Sequence, residues 1–94
     1  MSQQFEWDAA KAVGNVTDHD VTFEEALTVF ADPLARIFVD PGHSADEMRE
    51  IIIGHSTKPR VIVVAFTERD DRIRIISARD ATARERRDYE ERTY

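Results

Sequence analysis

The chain has 94 residues, 41 % of them hydrophobic and 34 % charged, with a net charge of −6 and no cysteine. That is enough for one domain with a single modest core over residues 1–94, and it excludes disulfide scaffolds, thiol nucleophiles and cysteine-ligated zinc. No apolar run approaches the roughly 20 residues that span a bilayer, and the opening MSQQFEWD lacks the regions of a signal peptide, so a cytoplasmic protein is expected.

Residues 4–7 are aromatic enough for a short edge strand. Asp8 then reads as a helix N-cap, with Ala9, Ala10, Lys11 and Ala12 as helix formers behind it. Ala9, Ala12, Val13 and Val16 recur at helical spacing, and Asn15 and Thr17 weaken the end of this helix. Thr22-Phe23-Glu24-Glu25 has capping-box form and opens a second helix with a stripe of Phe23, Ala26, Leu27 and Phe30. Asp32-Pro33 stops it, because a residue before proline is pushed out of the α region.

Residues 34–39 are the next predicted strand, closed by the turn-forming Asp40-Pro41-Gly42. Residues 48–54, with three consecutive isoleucines, form another. Residues 61–67 (VIVVAFT) are the strongest strand and are expected at the centre of the sheet. The polar residues 68–71 make a hairpin loop, and residues 72–78 return as a strand. Thr82-Ala83-Arg84-Glu85 is a second capping box, and residues 85–91 continue as a helix whose mixed charges suit a solvated face. The order β-α-α-β-β-β-β-α predicts an α+β domain, an antiparallel meander with two N-terminal helices and one C-terminal helix.

Charge is distributed unevenly. Residues 1–54 carry 3 Lys/Arg against 11 Asp/Glu, and residues 55–94 carry 10 against 8. An acidic chain that gathers its arginines in one half builds a local anion site; a net charge of −6 opposes tracking along a long polyanion. Alternation along residues 72–77 puts Ile73, Ile75 and Ser77 on one face and Arg72, Arg74 and Ile76 on the other. A regular continuation places Arg79 with the first set. Arg60, at the start of the neighbouring strand, is expected close to Arg79, and two such guanidiniums make a phosphate clamp.

His19, flanked by Asp18 and Asp20, is expected in the loop between the two helices, where catalytic groups collect. Trp7 either stacks on a base or anchors the first strand, and Tyr89 either supplies a phenol or anchors the last helix. His19, His43 and His55 lack metal-ligand spacing, so no metal or other cofactor is expected.

Together these residues resemble the BrnT toxin family. The matching segments are Phe5-Glu6-Trp7-Asp8, Lys11-Ala12 with Asn15, His19 with Val21, Phe23-Glu24-Glu25-Ala26, Val29-Phe30 and Asp32-Pro33. They continue through His43-Ser44, Glu47, Arg49, Ile53-Gly54, Arg60, Thr67-Glu68-Arg69, Arg74-Ile75-Ile76-Ser77-Ala78-Arg79, Ala81, Glu85-Arg86 and Tyr89-Glu90. The resemblance implies a RelE-like fold and a type II toxin that cleaves RNA without metal. It also implies a BrnA-like ribbon-helix-helix antitoxin as partner, which alone would bring the toxin to operator DNA.

On this reading His19 transfers protons, Arg60 and Arg79 stabilise the phosphate, and Glu85 or Tyr89 are further proton-transfer candidates. RNA contacts are expected from Trp7, Arg69 and Arg74. The chain departs from the family where Lys-His-Gly is usual and Asp18-His19-Asp20 stands instead, and Asp46 replaces a glycine. Two carboxylates beside His19 repel RNA, so the alternative is a weakened toxin that acts as antitoxin-binding partner and operon co-repressor.

Overall fold

A computed structural model describes residues 3–40, 42 and 48–92. Its elements are β1 (Gln4–Glu6), α1 (Ala9–His19), α2 (Phe23–Thr28) with a 3-10 turn (Val29–Ala31), and β2 (Arg36–Val39). There follow β3 (Glu50–His55), β4 (Val61–Arg69), β5 (Arg72–Asp80) and α3 (Ala83–Arg92). The five strands form one sheet in the order β1-β5-β4-β3-β2. Strands β2 to β5 are antiparallel neighbours, while β1 lies parallel to β5 at one edge. The fold is mixed α+β, with β4 central as its β-branched run predicts. The turn expected at Pro41, together with His43, Ser44, Asp46 and Glu47, lies outside the described residues.

The main core fills the side of the sheet covered by α1 and α2. Val21, Phe23, Ala26, Val29, Ile62 and Val64 are fully buried there, with Phe66, Ile75 and Ala78 beside them. Phe30 bridges Phe5 and Phe66, with ring centroids 5.1 and 5.0 Å away in edge-to-face geometry. Such pairs add about 0.5–1.5 kcal/mol beyond the area they bury. A smaller cluster on the other face joins Ile53, Val61 and Val63 to Ala81 and Tyr89 from the α3 end. The stripe of the second helix centres on Phe23, Ala26 and Val29, with Leu27 and Phe30 half-buried beside it.

Three local expectations change. Of the apolar positions of α1 only Ala12 packs on the core among the described residues: Val13 is 69 % exposed and Val16 42 %. The helix instead turns Asn15 inward, where its amide donates to the Val21 and Ala78 carbonyls at 2.9 and 2.8 Å. Its oxygen accepts from the Ala78 N–H at 3.0 Å, so one side chain ties α1 to the following turn and to β5. The hairpin loop shrinks to a two-residue turn, Asp70 and Asp71, with φ of 54° and 64°. Positive φ at both central positions twists the turn with its strands and lets β4 run to Arg69, two residues further than expected, opposite Arg72.

The third change is the face of Arg79. Pairing shifts from Ala65 opposite Ser77 to Phe66 opposite Ile75, leaving Ile76 as a bulge. A bulge adds one residue and resets the alternation. Ala78 therefore joins Ile73 and Ile75 in the main core, and Arg79 points to the opposite, α3 side.

Asn15→Ala should destabilise the fold by about 2–4 kcal/mol, because it strands buried backbone groups of Ala78 and Val21. Urea denaturation measures this; a loss within the few tenths expected of a surface change would refute the role given to the amide.

Candidate functional site

Two arginine-centred networks meet at the C-terminal end of β5. The first begins with helix termination. His19 is the last residue of α1 rather than a loop residue, and it is exposed. Asp20 caps the helix in the left-handed region, φ 56° and ψ 38°, and its N–H donates to the Val16 carbonyl at 2.9 Å. This geometry leaves the Asp20 carbonyl to accept from Arg60 Nη2 at 2.9 Å.

Arg60 also donates from Nε to Glu25 Oε2 at 2.8 Å and from Nη2 to Glu25 Oε1, a two-pronged ion pair. Glu25 is only 5 % exposed and accepts a further bond from Ser56 Oγ at 2.7 Å. The Arg60 hydrogen bond outweighs burial and holds the Glu25 carboxyl below its ordinary range. The expected capping box at α2 is thus half formed. Thr22 Oγ1 accepts from the Glu25 N–H at 3.0 Å, but the Glu25 carboxylate is committed to Arg60.

The second network lies on the α3 side. Arg79 donates from Nη1 and Nη2 to Glu85 Oε1 and Oε2 at 2.8 and 3.0 Å, and from Nη1 to the Asp80 carbonyl at 3.1 Å. Here the capping box is complete: Thr82 N–H donates to Glu85 Oε1 at 2.9 Å, and Glu85 N–H donates to Thr82 Oγ1 at 3.1 Å. Arg79 foremost, with the Thr82 N–H, holds Glu85 at about 2. Beside this pair opens a cleft of about 360 Å³, lined by Arg36, Phe38, Ile51, Ile53, Val63, Asp88 and Tyr89.

Tyr89 is 5 % exposed, and its hydroxyl donates to Asp32 Oδ2. Burial first, then that bond, pushes the phenol up to about 12. The same Asp32 accepts from the His55 N–H at 2.8 Å and the Leu34 N–H at 2.9 Å, fastening α3 to β3 and delaying β2 until Arg36. Gly54 permits this approach, since a Cβ there would stand 2.8 Å from Asp32 Oδ2 and 2.9 Å from Ala35 Cβ.

Arg60 and Arg79 lie at the same end of the sheet, as expected, but meet Asp80 from opposite faces. Arg60 Nη1 lies 3.4 Å from its carboxylate, whereas Arg79 takes its carbonyl. They do not form an open two-arginine clamp, because each guanidinium already holds a carboxylate. His19 belongs to the Arg60 side, one residue from the Asp20 carbonyl. Glu85 and Tyr89 belong to the Arg79 side, where Glu85 serves as ion-pair partner and Tyr89 as anchor.

The expected RNA contacts do not gather here. Trp7 sets its ring edge-to-face on Phe23 at 5.8 Å. Arg74 pairs with Glu6 at 3.0 Å. Arg69 closes β4 at the hairpin tip, roughly 25 Å of strand from the Arg60 end. Among the described residues no group of three His, Cys, Asp or Glu stands together as a metal site, and His43 lies outside those residues.

Glu25 and Asn15 were the residues that spacing undervalued as parts of the site. The signal for Asn15 was a poor helix former inside an alanine-rich helix, which calls for a specific bond. Nothing local marks Glu25 as more than a cap residue, because its partner is 35 positions away.

The Glu85 environment gives a pH prediction. Its folded pKa is depressed from 4.5 to about 2, so its stabilisation is complete above the unfolded value and is lost as pH falls through the folded one. Glu85→Gln should flatten the stability profile between those two values, read by denaturant unfolding across acid pH. An unchanged acid slope would rule out the pairing with Arg79 as its source.

The family model described as "Ribonuclease toxin, BrnT, of type II toxin-antitoxin system" matches residues 7–85. The crystal structure of the Brucella abortus ribonuclease toxin BrnT is similar in fold, with a TM-score of 0.68 and 24 % sequence identity, over 86 % of this chain and 99 % of that one. No curated protein sequence matches. The family match over most of the length, on a fold of the same kind, means that this chain belongs to the BrnT family of ribonuclease toxins of type II toxin–antitoxin systems.

Proposed function

We propose that the chain is a metal-independent endoribonuclease of RelE-like fold, the cytoplasmic toxin of a pair whose other member is a BrnA-like ribbon-helix-helix antitoxin. In the reaction the ribose 2′-OH loses its proton and attacks the adjacent phosphorus. The P–O5′ bond breaks, the leaving oxygen takes a proton, and a cyclic phosphate and a 5′-OH remain. A proton-transfer group and cations for the growing phosphate charge are what this chemistry needs.

The observation that carries the reading is the Arg60 bond to the Asp20 carbonyl, which sets a guanidinium beside the residue that follows His19. Glu85 is committed to Arg79 and the Tyr89 hydroxyl to Asp32, which favours His19 for that task. Arg79 supports the phosphate from the other side of Asp80. Operator DNA is reached only through the antitoxin.

A second reading has its own observation. Both guanidinium forks are filled by Glu25 and Glu85, and Asp18 and Asp20 flank His19. A phosphate must compete with four carboxylates, which suits a toxin of low activity that still binds its antitoxin and serves as co-repressor.

Purified chain incubated with RNA and a chelator should still cut. His19→Ala and Arg79→Ala should each slow cleavage by about 100-fold or more. Cleavage that stops on chelation, or persists at full rate in both folded variants, defeats the first reading. The double change Asp18→Lys and Asp20→Gly should raise cleavage and growth inhibition if the acidic flank merely restrains the site. The glycine alone should add about 0.5–1 kcal/mol of stability, because position 20 is left-handed. Unaltered inactivity with tight antitoxin binding selects the second reading.

A further inference from the structure

The sheet ends on one side at β2, and nothing among the described residues pairs with its outer edge. Three successive apolar side chains stand there in solvent: Ile37 is 55 % exposed, Phe38 52 % and Val39 48 %. The opposite edge, β1, is different. It is three residues long, buries part of Phe5 in the core and pairs Glu6 with Arg72 and Arg74. Natural edges are usually blunted by charge or proline. Within β2 the run Ile37-Phe38-Val39 carries neither charge nor proline.

The hydrogen-bonding direction of β2 follows from its ladder. Arg36 stands opposite Ile53 and Phe38 opposite Ile51, and the Asp40 N–H donates to the Arg49 carbonyl at 2.9 Å. In an antiparallel ladder alternate residues turn their backbone groups toward the partner. Residues 36, 38 and 40 face β3, so Ile37 and Val39 present their N–H and C=O groups outward.

We propose that this edge pairs with the same edge of a second copy, antiparallel about a twofold axis at Phe38. The sequence Arg36-Ile37-Phe38-Val39-Asp40 is complementary to its own reverse. In this register Ile37 and Val39 of the two copies exchange their backbone bonds, four in all by symmetry. Phe38 meets Phe38, and Arg36 meets Asp40 twice, on the same face and with opposite charge. Directly opposed aromatic pairs and opposite charges are what stabilise cross-strand contacts, and a twofold interface must be self-complementary in this way. Arg36 and Phe38 also line the cleft beside Arg79, so pairing brings two clefts together across the axis.

So short a strand buries less than the roughly 1,200 Å² of a stable interface, and each copy carries a net charge of −6. The association is therefore weak and concentration-dependent. It is carried by the edge alone and does not depend on whether the chain cuts RNA.

Because the chain has no cysteine, Phe38→Cys introduces a single thiol. A non-hydrogen-bonded antiparallel pair holds its Cα atoms about 4.5 Å apart, within disulfide range. Mild oxidation should convert this variant to a covalent dimer, while Val13→Cys, on exposed α1, stays monomeric. By sedimentation velocity the unmodified chain should dimerise at high concentration. Arg36→Asp or Asp40→Arg should each weaken dimerisation about tenfold, and the two together should restore it. A chain that remains monomeric throughout, or thiols that cross-link equally at both positions, overturns the proposal and leaves the edge to a strand of another protein. Failure of the double reversal to rescue overturns the register.

Discussion

A single buried amide sets the frame in which the site is built. Asn15 uses both donors and its acceptor on backbone groups of two other segments, and so links α1, the α1–α2 turn and β5 at once. With Ala78 and Val21 held at fixed distances from α1, the helix must end within the next turn. Asp20 takes the left-handed cap, and its carbonyl faces the end of β4. Arg60 bonds to that carbonyl while Glu25 and Asp80 balance its charge. Glu25 in turn tolerates near-complete burial only because Arg60 and Ser56 satisfy it. The sequence of dependencies runs from a neutral polar group to a charged one. That order is physically sound, since the amide positions without a net charge to desolvate.

The bulge at Ile76 is the second constraint, and it decides how the site is divided. Without it Arg79 would share a face with Ile73 and Ile75, under α1 and α2, where its charge would compete with Arg60 for Glu25. With it, Arg79 reaches α3 and binds the capping glutamate of that helix. Asp80 serves both sides, through its carboxylate to Arg60 and its carbonyl to Arg79. The end of β5 is thus a partition between two ion pairs rather than the floor of one pocket. An RNA phosphate reaching it meets guanidiniums that are oriented but already charge-paired.

Much of this architecture was legible in the chain. Both N-caps, with the complete capping box at α3, the proline stop after α2, the central position of residues 61–67 and the mixed α+β class follow from local chemistry. The misreadings have a common cause in contacts that local pattern does not encode. Val13 and Val16 looked like a buried stripe because apolar spacing carries no information on which face finds a partner; the partner went to Asn15. Strand alternation placed Arg79 wrongly because a bulge depends on the neighbouring strand as much as on its own residues. Tyr89 was left between phenol donor and helix anchor because its partner Asp32, which accepts from its hydroxyl, lies 57 positions away.

Position 20 is where fold and chemistry can be separated. Its backbone is left-handed, with φ of 56°, and a residue with a Cβ pays about 1 kcal/mol there, somewhat less for Asp and Asn. A glycine would meet that requirement without strain and without charge. Asp20 accepts the strain and also adds a carboxylate immediately after His19. Its backbone carbonyl bonds Arg60 whatever the side chain, so that hydrogen bond does not need the carboxylate. The acid adds a charge favourable to Arg60 and sets the same charge against any anion that approaches His19.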